Sequence, residues 1–187
     1  MEEKLQKVAD DFLKRIQKKL PAEKADKPFI VGIVGMIGSG KTVFVKELVK
    51  HLKGAVLVSS NDSRFLLKTK GMKWGDNVRE TTFHVARELI KDGYVVVFDG
   101  DHVDRQKRIN TQKIADELGV RFYHLRMNVS QETAEKRLDA KDYDSHKQTF
   151  GDFWPDIDDE DAKNNLRQRT HLYKEIDEEK PKPEFFV

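Results

Sequence analysis

The residues best suited to chemistry lie together in GMIGSGKT, residues 35–42, where three glycines, one lysine and one threonine fall within eight positions. The spacing is G-x-x-x-x-G-K-[ST]. Glycines let a backbone curl until successive N–H groups face inward as an anion nest. A helix that starts at the end of such a turn adds free donors and a partial positive charge. Lys41 is long enough to reach terminal phosphates, and Thr42 offers a hydroxyl to Mg²⁺. Gly35, Met36, Ile37, Gly38, Ser39, Gly40, Lys41 and Thr42 are therefore the expected binding residues for a nucleoside triphosphate with its metal. The plain alternative is an ordinary glycine turn, and the apolar run before it and the amphipathic run after it argue against that.

Two further stretches carry candidates. SSNDSR, residues 59–64, offers Asp62 to accept a proton from a hydroxyl and Arg64 to hold an anionic acceptor or a developing charge. Asn61 is a weaker candidate for orienting that acceptor. Taken alone, the segment would read as a helix cap with an exposed arginine. VVVFDGDH, residues 95–102, ends an apolar run in Asp99, the pattern of an aspartate that holds Mg²⁺. Asp101 and His102 follow it, read more simply as turn residues without metal-ligand spacing. Phosphoryl transfer needs cations over the phosphates and a cover against water. Arg137, Lys141, Lys147, Arg167 and Arg169 are the candidate cations, with Arg137 foremost, and residues 141–157 are the candidate lid. Trp154 reads as lid packing, and the acidic run DIDDED, residues 156–161, as a helix start favourable to the dipole.

Strands and helices must alternate to place these residues. Phe29 to Val34 is an apolar run of β-branched character, as in a strand buried on both faces. The spacing then predicts a helix over 42–53, a strand over 55–58, a short helix over 63–69 and a helix from a capping Asp76 to Asp92. A strand over 94–98, a helix over 104–118, a strand over 122–129 and a helix from Ser130 to about Ala140 follow. Alternation of this kind predicts an α/β fold, a three-layer parallel sheet covered by helices on both faces. The sheet has five strands if PKPEFFV at the end is one, and four otherwise. Sites in such sheets gather at the carboxyl ends of the strands. Residues 1–27 read as an amphipathic helix and linker, and 28–187 as the main domain. The stripe Leu5, Val8, Phe12, Leu13, Ile16 and Leu20 would pack on that domain, or else serve a partner or dimer.

Composition narrows the classes. The 187 residues suffice for one well-cored domain. Charged residues make up 36% with a net charge of +2, so the surface is charged but nearly balanced, and a nucleic-acid partner is the less favoured one. There is no cysteine, which removes thiolate catalysis and Cys-held zinc. No apolar run approaches the roughly 18 residues of a membrane span, so the expected address is the cytoplasm, as monomer or homodimer.

GMIGSGKT, SSNDSR, VVVFDGDHVDRQKR and ETAEKRLDAK, taken in order, resemble the polynucleotide-kinase-like group of small P-loop kinases over roughly residues 29–141. The resemblance implies a five-stranded parallel sheet, ATP with Mg²⁺, and transfer of the γ-phosphoryl to a hydroxyl. Asp62 and Arg64 match the family's aspartate base and arginine, although the family spacing of base and arginine falls on Asn61. Asp99 matches the third-strand aspartate, and the lid arginine falls on Lys141, with Arg137 one turn earlier. The loop is also similar to those of dephospho-coenzyme A kinases and uridine-kinase-like enzymes. The expected activity is thus phosphoryl transfer to a small molecule, nucleoside or nucleotide. The alternatives are a nucleic-acid 5′-hydroxyl kinase and, in another class, an NTPase switch or binding module, although the guanine-specifying N-K-x-D is absent.

Overall fold

The structure is a computed structural model and describes residues 2–100, 102, 104–140, 164, 167 and 168. The chain runs α1 (Glu3–Gln17), β1 (Phe29–Val34), α2 (Lys41–His51), β2 (Ala55–Ser59), α3 (Ser60–Thr69), α4 (Asp76–Lys91), β3 (Val95–Asp99), α5 (Arg105–Glu117), β4 (Arg121–Arg126) and α6 (Gln131–Asp139). Among the described residues the strands form one parallel sheet in the order β2-β3-β1-β4. The expected lid, the helix near 158–176, and the candidate fifth strand at 181–187 fall outside or almost wholly outside the described residues.

Alternation along the central strands builds the three layers. Ile30, Val56, Val58, Val96, Phe98 and Phe122 face one way and pack with α1, α3, α4 and α5. Val31, Ile33, Val95 and Val97 face the other way and pack with Val45 of α2. A strand whose neighbours lie on both sides and whose faces are both covered must be apolar throughout, which is why FIVGIV and VVVF lack an alternating polar residue. The apolar stripe of α1 joins the first of these cores, with Leu5, Val8, Ala9 and Phe12 buried.

The topology positions the site. From β1 the chain crosses by α2 on one face to the edge strand β2, and from β3 it crosses by α5 on the other face to β4. The segments leaving β1 and β3, which are neighbours, therefore part to opposite faces and open a crevice between their carboxyl ends. The glycine loop and Asp99 sit at that crevice.

Several boundaries differ from the sequence reading for local reasons. Helix α3 begins at Ser60, directly out of β2, because the Ser59 hydroxyl accepts from the backbone N–H groups of Asn61 and Asp62 at 3.2 and 3.4 Å. Asp62 thus stands in a helical first turn rather than in a loop, with Arg64 in the turn after it. Asp76 is the first residue of α4, not its cap; Gly75, at φ +62°, precedes it, and Asp76 pairs with Arg79 at 2.9 Å. Strand β4 ends at Arg126 rather than 129, as the chain turns toward Ser130, which caps α6 by accepting from the Thr133 N–H.

Candidate functional site

The loop from Gly35 to Thr42 takes the curled shape its glycines permit. Gly38 and Gly40 have φ of +79° and +91°, a region that side chains with a Cβ avoid. The first two of the four variable positions, Met36 and Ile37, pack with Ala134 and Leu138 of α6, so the loop is anchored by its own apolar side chains. The packing is close: a Cβ on Gly38 would lie 2.6 Å from the Ala134 carbonyl oxygen. It also brings Arg137 over the loop, where its guanidinium donates to the Ser39 carbonyl at 3.1 Å.

Lys41 Nζ donates to the carbonyls of Gly35 and Met36 at 2.7 and 2.8 Å, folding back across the loop mouth. The Ser39 hydroxyl is buried and finds no hydrogen-bond partner among the described residues, an orphaned polar atom inside the cradle. Thr42 donates through Oγ1 to Asp99 Oδ1 at 3.1 Å. The strand ends meet tightly here, since a Cβ on Gly100 would lie 2.7 Å from Ser60 Oγ.

Asp99 and Asp62 share one electrostatic neighbourhood. Burial raises the Asp99 carboxyl above the ordinary carboxylate range, and Asp62 adds to this, while the Thr42 hydrogen bond, Lys41 and Lys46 oppose it. Burial likewise raises Asp62, against Lys19, Lys46 and Arg15. Asp62 keeps contact with solvent, but the helices around it thin the water about its carboxylate. A half-buried carboxylate with a second carboxylate in its electrostatic reach is a set that divalent cations and protons both favour.

The residues fit a nucleotide with Mg²⁺. The curled loop supplies inward amides and an unsatisfied hydroxyl, and Thr42 and Asp99 form a hydroxyl–carboxylate pair of the kind Mg²⁺ takes. Among the described residues no group of three His, Asp or Glu could hold a metal. Phosphate oxygens and water would have to complete the shell, which is how Mg²⁺ is commonly bound beside nucleotides.

The other sequence candidates divide. Arg64 donates to Asn61 Oδ1 at 2.7 Å within α3, so Asn61 orients the arginine, and its amide has no basic oxygen with which to take a proton. His102 is buried, its ring packed near Phe98 and Phe122 and its backbone N–H donated to the Ile33 carbonyl. Arg167 pairs with Glu135 of α6 at 3.8 Å. Asp101, Lys141, Lys147, Trp154 and Arg169 lie outside the described residues. The sequence reading missed Lys46, which follows Thr42 by one helical turn and so shares its face, a spacing visible in KTVFVK. It also missed Arg15 and Lys19, whose place beside Asp62 depends on how α1 packs.

Comparison with known proteins agrees with this geometry. No curated protein sequence matches the chain. A chain of the Pnkp1/Rnl/Hen1 RNA repair complex superposes with a TM-score of 0.58 at 18% identity, covering 80% of this chain and 46% of that one. A chain of the PezAT chromosomal toxin–antitoxin system of Streptococcus pneumoniae superposes with a TM-score of 0.54 at 16% identity, covering 95% of this chain and 74% of that one. At such identities the likeness is one of fold, and the chain spans under half the length of the first of these proteins. No helix among the described residues is long and apolar enough to cross a membrane. The AAA domain family matches residues 30–153. With two thirds of its length under that match, a curled G-x-x-x-x-G-K-T loop and a parallel sheet ordered around it, the chain belongs to the AAA domain family.

Proposed function

We propose that the protein is a Mg²⁺-dependent phosphotransferase that moves the γ-phosphoryl of ATP to a hydroxyl of a small molecule, nucleoside or nucleotide. One observation carries this reading: Asp62 shares the neighbourhood of Asp99, which is itself bonded to Thr42 at the end of the phosphate-binding loop. A simple hydrolase or switch needs the loop and the metal pair. A second carboxylate beside them, raised toward proton affinity, suits deprotonation of an incoming hydroxyl.

The roles follow from position. The amides of residues 35–42 and the Lys41 ammonium hold the polyphosphate. Thr42 and Asp99 would hold Mg²⁺, which when bound neutralises charge on the β- and γ-phosphate oxygens. Asp62 receives the proton of the acceptor hydroxyl. The acceptor oxygen then forms its bond to the γ-phosphorus as the bond from that phosphorus to the bridging oxygen breaks, leaving the electron pair on ADP. Arg137, already over the loop at Ser39, meets charge gathering on the transferred group, and Arg64 holds the acceptor side. Most of the rate would come from positioning and preorganised charge.

The test is ADP release measured with and without a panel of hydroxyl acceptors, oligonucleotide 5′-hydroxyls included. Acceptor-dependent release that Lys41→Ala lowers roughly a hundredfold or more, with the fold intact, is the expected result. Full turnover in Lys41→Ala, or hydrolysis indifferent to every acceptor, would overturn the reading.

A further inference from the structure

A cavity of about 470 Å³ lies along the outer edge of β2, between α1, α2 and α3. Phe12, Ile16, Val49 and Leu66 give it apolar walls. Asp62 lines it too, so one carboxylate belongs both to this cavity and to the neighbourhood of Asp99. The volume falls within the roughly 300–1,000 Å³ of ligand pockets.

On α1, Lys7 pairs with Glu3, Asp10 with His84 of α4, and Asp11 with Lys70 after α3. Arg15 and Lys19 line the cavity, stay exposed, and make no ion pair or hydrogen bond through their side chains among the described residues. They act on Asp62 through space, together with Lys46. Three cations against one carboxylate leave a surplus of positive charge around an apolar cavity. A ligand suited to it needs an apolar body, an anion for Arg15 and Lys19, and a polar group toward Asp62.

We propose that this cavity seats the phosphoryl acceptor, and that the acceptor is a hydroxyl compound carrying an apolar ring and a phosphate or carboxylate, its anion held by Arg15 and Lys19. The proposal rests on the phosphotransfer reading above. It gives α1 a part in substrate selection as well as in the core: Phe12 and Ile16 present apolar surface to the ligand, while Arg15 on the helix and Lys19 just past its end choose its charge.

The experiment is calorimetric titration of the full chain with 1-naphthyl phosphate, 1-naphthoate and 1-naphthol, each with the phosphate-binding loop filled by a non-hydrolysable ATP analogue and Mg²⁺. Both anions are expected to bind more tightly than naphthol, and their ratio tells phosphate from carboxylate preference. The double variant Arg15→Gln, Lys19→Gln changes exposed residues only; it should weaken the anions roughly tenfold while leaving naphthol and the ATP analogue unchanged. Ile16→Trp, which fills the cavity, should abolish all three, with the ATP analogue still bound. Equal binding of naphthol and the anions, or anion affinity unchanged in the double variant, overturns the proposal. If the ATP analogue binds and no naphthyl compound does, the cavity assignment falls while phosphotransfer stands. If the naphthyl anions bind through Arg15 and Lys19 but the analogue does not bind, phosphotransfer falls and takes the acceptor role with it.

Discussion

Replacing Gly38 by alanine asks the loop to carry a methyl group where it has least room. Two costs can be separated. The first is backbone: at φ +79° an alanine loses roughly 1–2 kcal/mol relative to glycine. The stiffer unfolded chain returns roughly 0.4–1 kcal/mol of that, leaving about 1 kcal/mol. The second is contact: the new Cβ would fall 2.6 Å from the Ala134 carbonyl oxygen, a backbone atom of α6 that no rotamer can move aside. Overpacking of this kind costs roughly a further 1–3 kcal/mol. The expected loss is therefore about 2–4 kcal/mol by urea unfolding, each kcal/mol lowering Tm by about 2–4 °C in a chain of this size. Gly40→Ala and Gly71→Ala supply the controls. Both have positive φ, but the nearest atom to a Cβ at Gly40 is Arg137 Nη1 at 3.7 Å, and at Gly71 nothing among the described residues lies within 4 Å. Each should lose only the backbone part, about 1 kcal/mol. If α6 gives way instead of the loop, Gly38→Ala will also part Arg137 from Ser39 and weaken ATP binding beyond what Gly40→Ala does. A stability loss for Gly38→Ala within about half a kcal/mol of Gly71→Ala would refute the idea that the loop is clamped against α6.

Other perturbations read other parts of the site. Because burial raises Asp99, the folded protein holds its proton at pH values where the unfolded chain has released it; Mg²⁺-dependent ATP affinity should therefore rise with pH through that window, just above the ordinary carboxylate range, while metal-free stability falls. Asp99→Asn should flatten the affinity profile, as followed by titration at a series of pH values. Arg137→Ala removes the guanidinium from Ser39 and should lower kcat roughly tenfold to a hundredfold with a smaller change in KM, checked by steady-state kinetics. His124, which burial and then Arg108 push from 6.5 down to about 4, binds fewer protons folded than unfolded between those values. Stability should thus be lost as pH falls from 6.5 toward 4, by about 3 kcal/mol in all, and urea melts of His124→Asn should lack that slope.

Where the chain's own backbone decides the answer, the sequence was legible. Phe29–Val34 and Val95–Asp99 read as doubly buried strands because unbroken β-branched runs have no solvated face to offer. Gly54, Gly93 and Gly119 marked helix ends because each holds a positive φ. The start of α3 was misjudged by three residues, since Ser60, Asn61 and Asp62 look like loop residues until Ser59 caps them. Asp76 reads as a cap because aspartate suits that position as well as the first turn, where its charge meets the dipole. Neither difference can be seen in local propensity: the first turns on the Ser59 hydroxyl taking the free N–H groups, and the second on Gly75 entering α4 at a positive φ with no side-chain cap.

The site shows the same boundary between what is local and what is not. Gly35–Thr42 could be read because one contiguous turn supplies the amides, the ammonium and the hydroxyl. Asp99 could be read because a parallel strand beside β1 must deliver its last residue to the same crevice. Arg15 and Lys19 could not. They precede the loop by more than a dozen residues, on and just past a helix whose apolar stripe says that it packs but not where. The direction is fixed only when Phe12 enters the core shared with Leu66 and Leu67, because a helix with one face pinned must turn the following residues toward the edge of β2. The place of a side chain carried by a docked helix is thus invisible to spacing and plain from packing. It follows that substitutions in the buried stripe of α1 should alter acceptor affinity before they alter ATP affinity: Phe12→Leu should raise KM for the acceptor severalfold while leaving ATP binding at residues 35–42 unchanged, as steady-state kinetics and nucleotide titration would show. Equal losses for both substrates would mean that α1 supports the whole sheet and holds no special relation to Asp62.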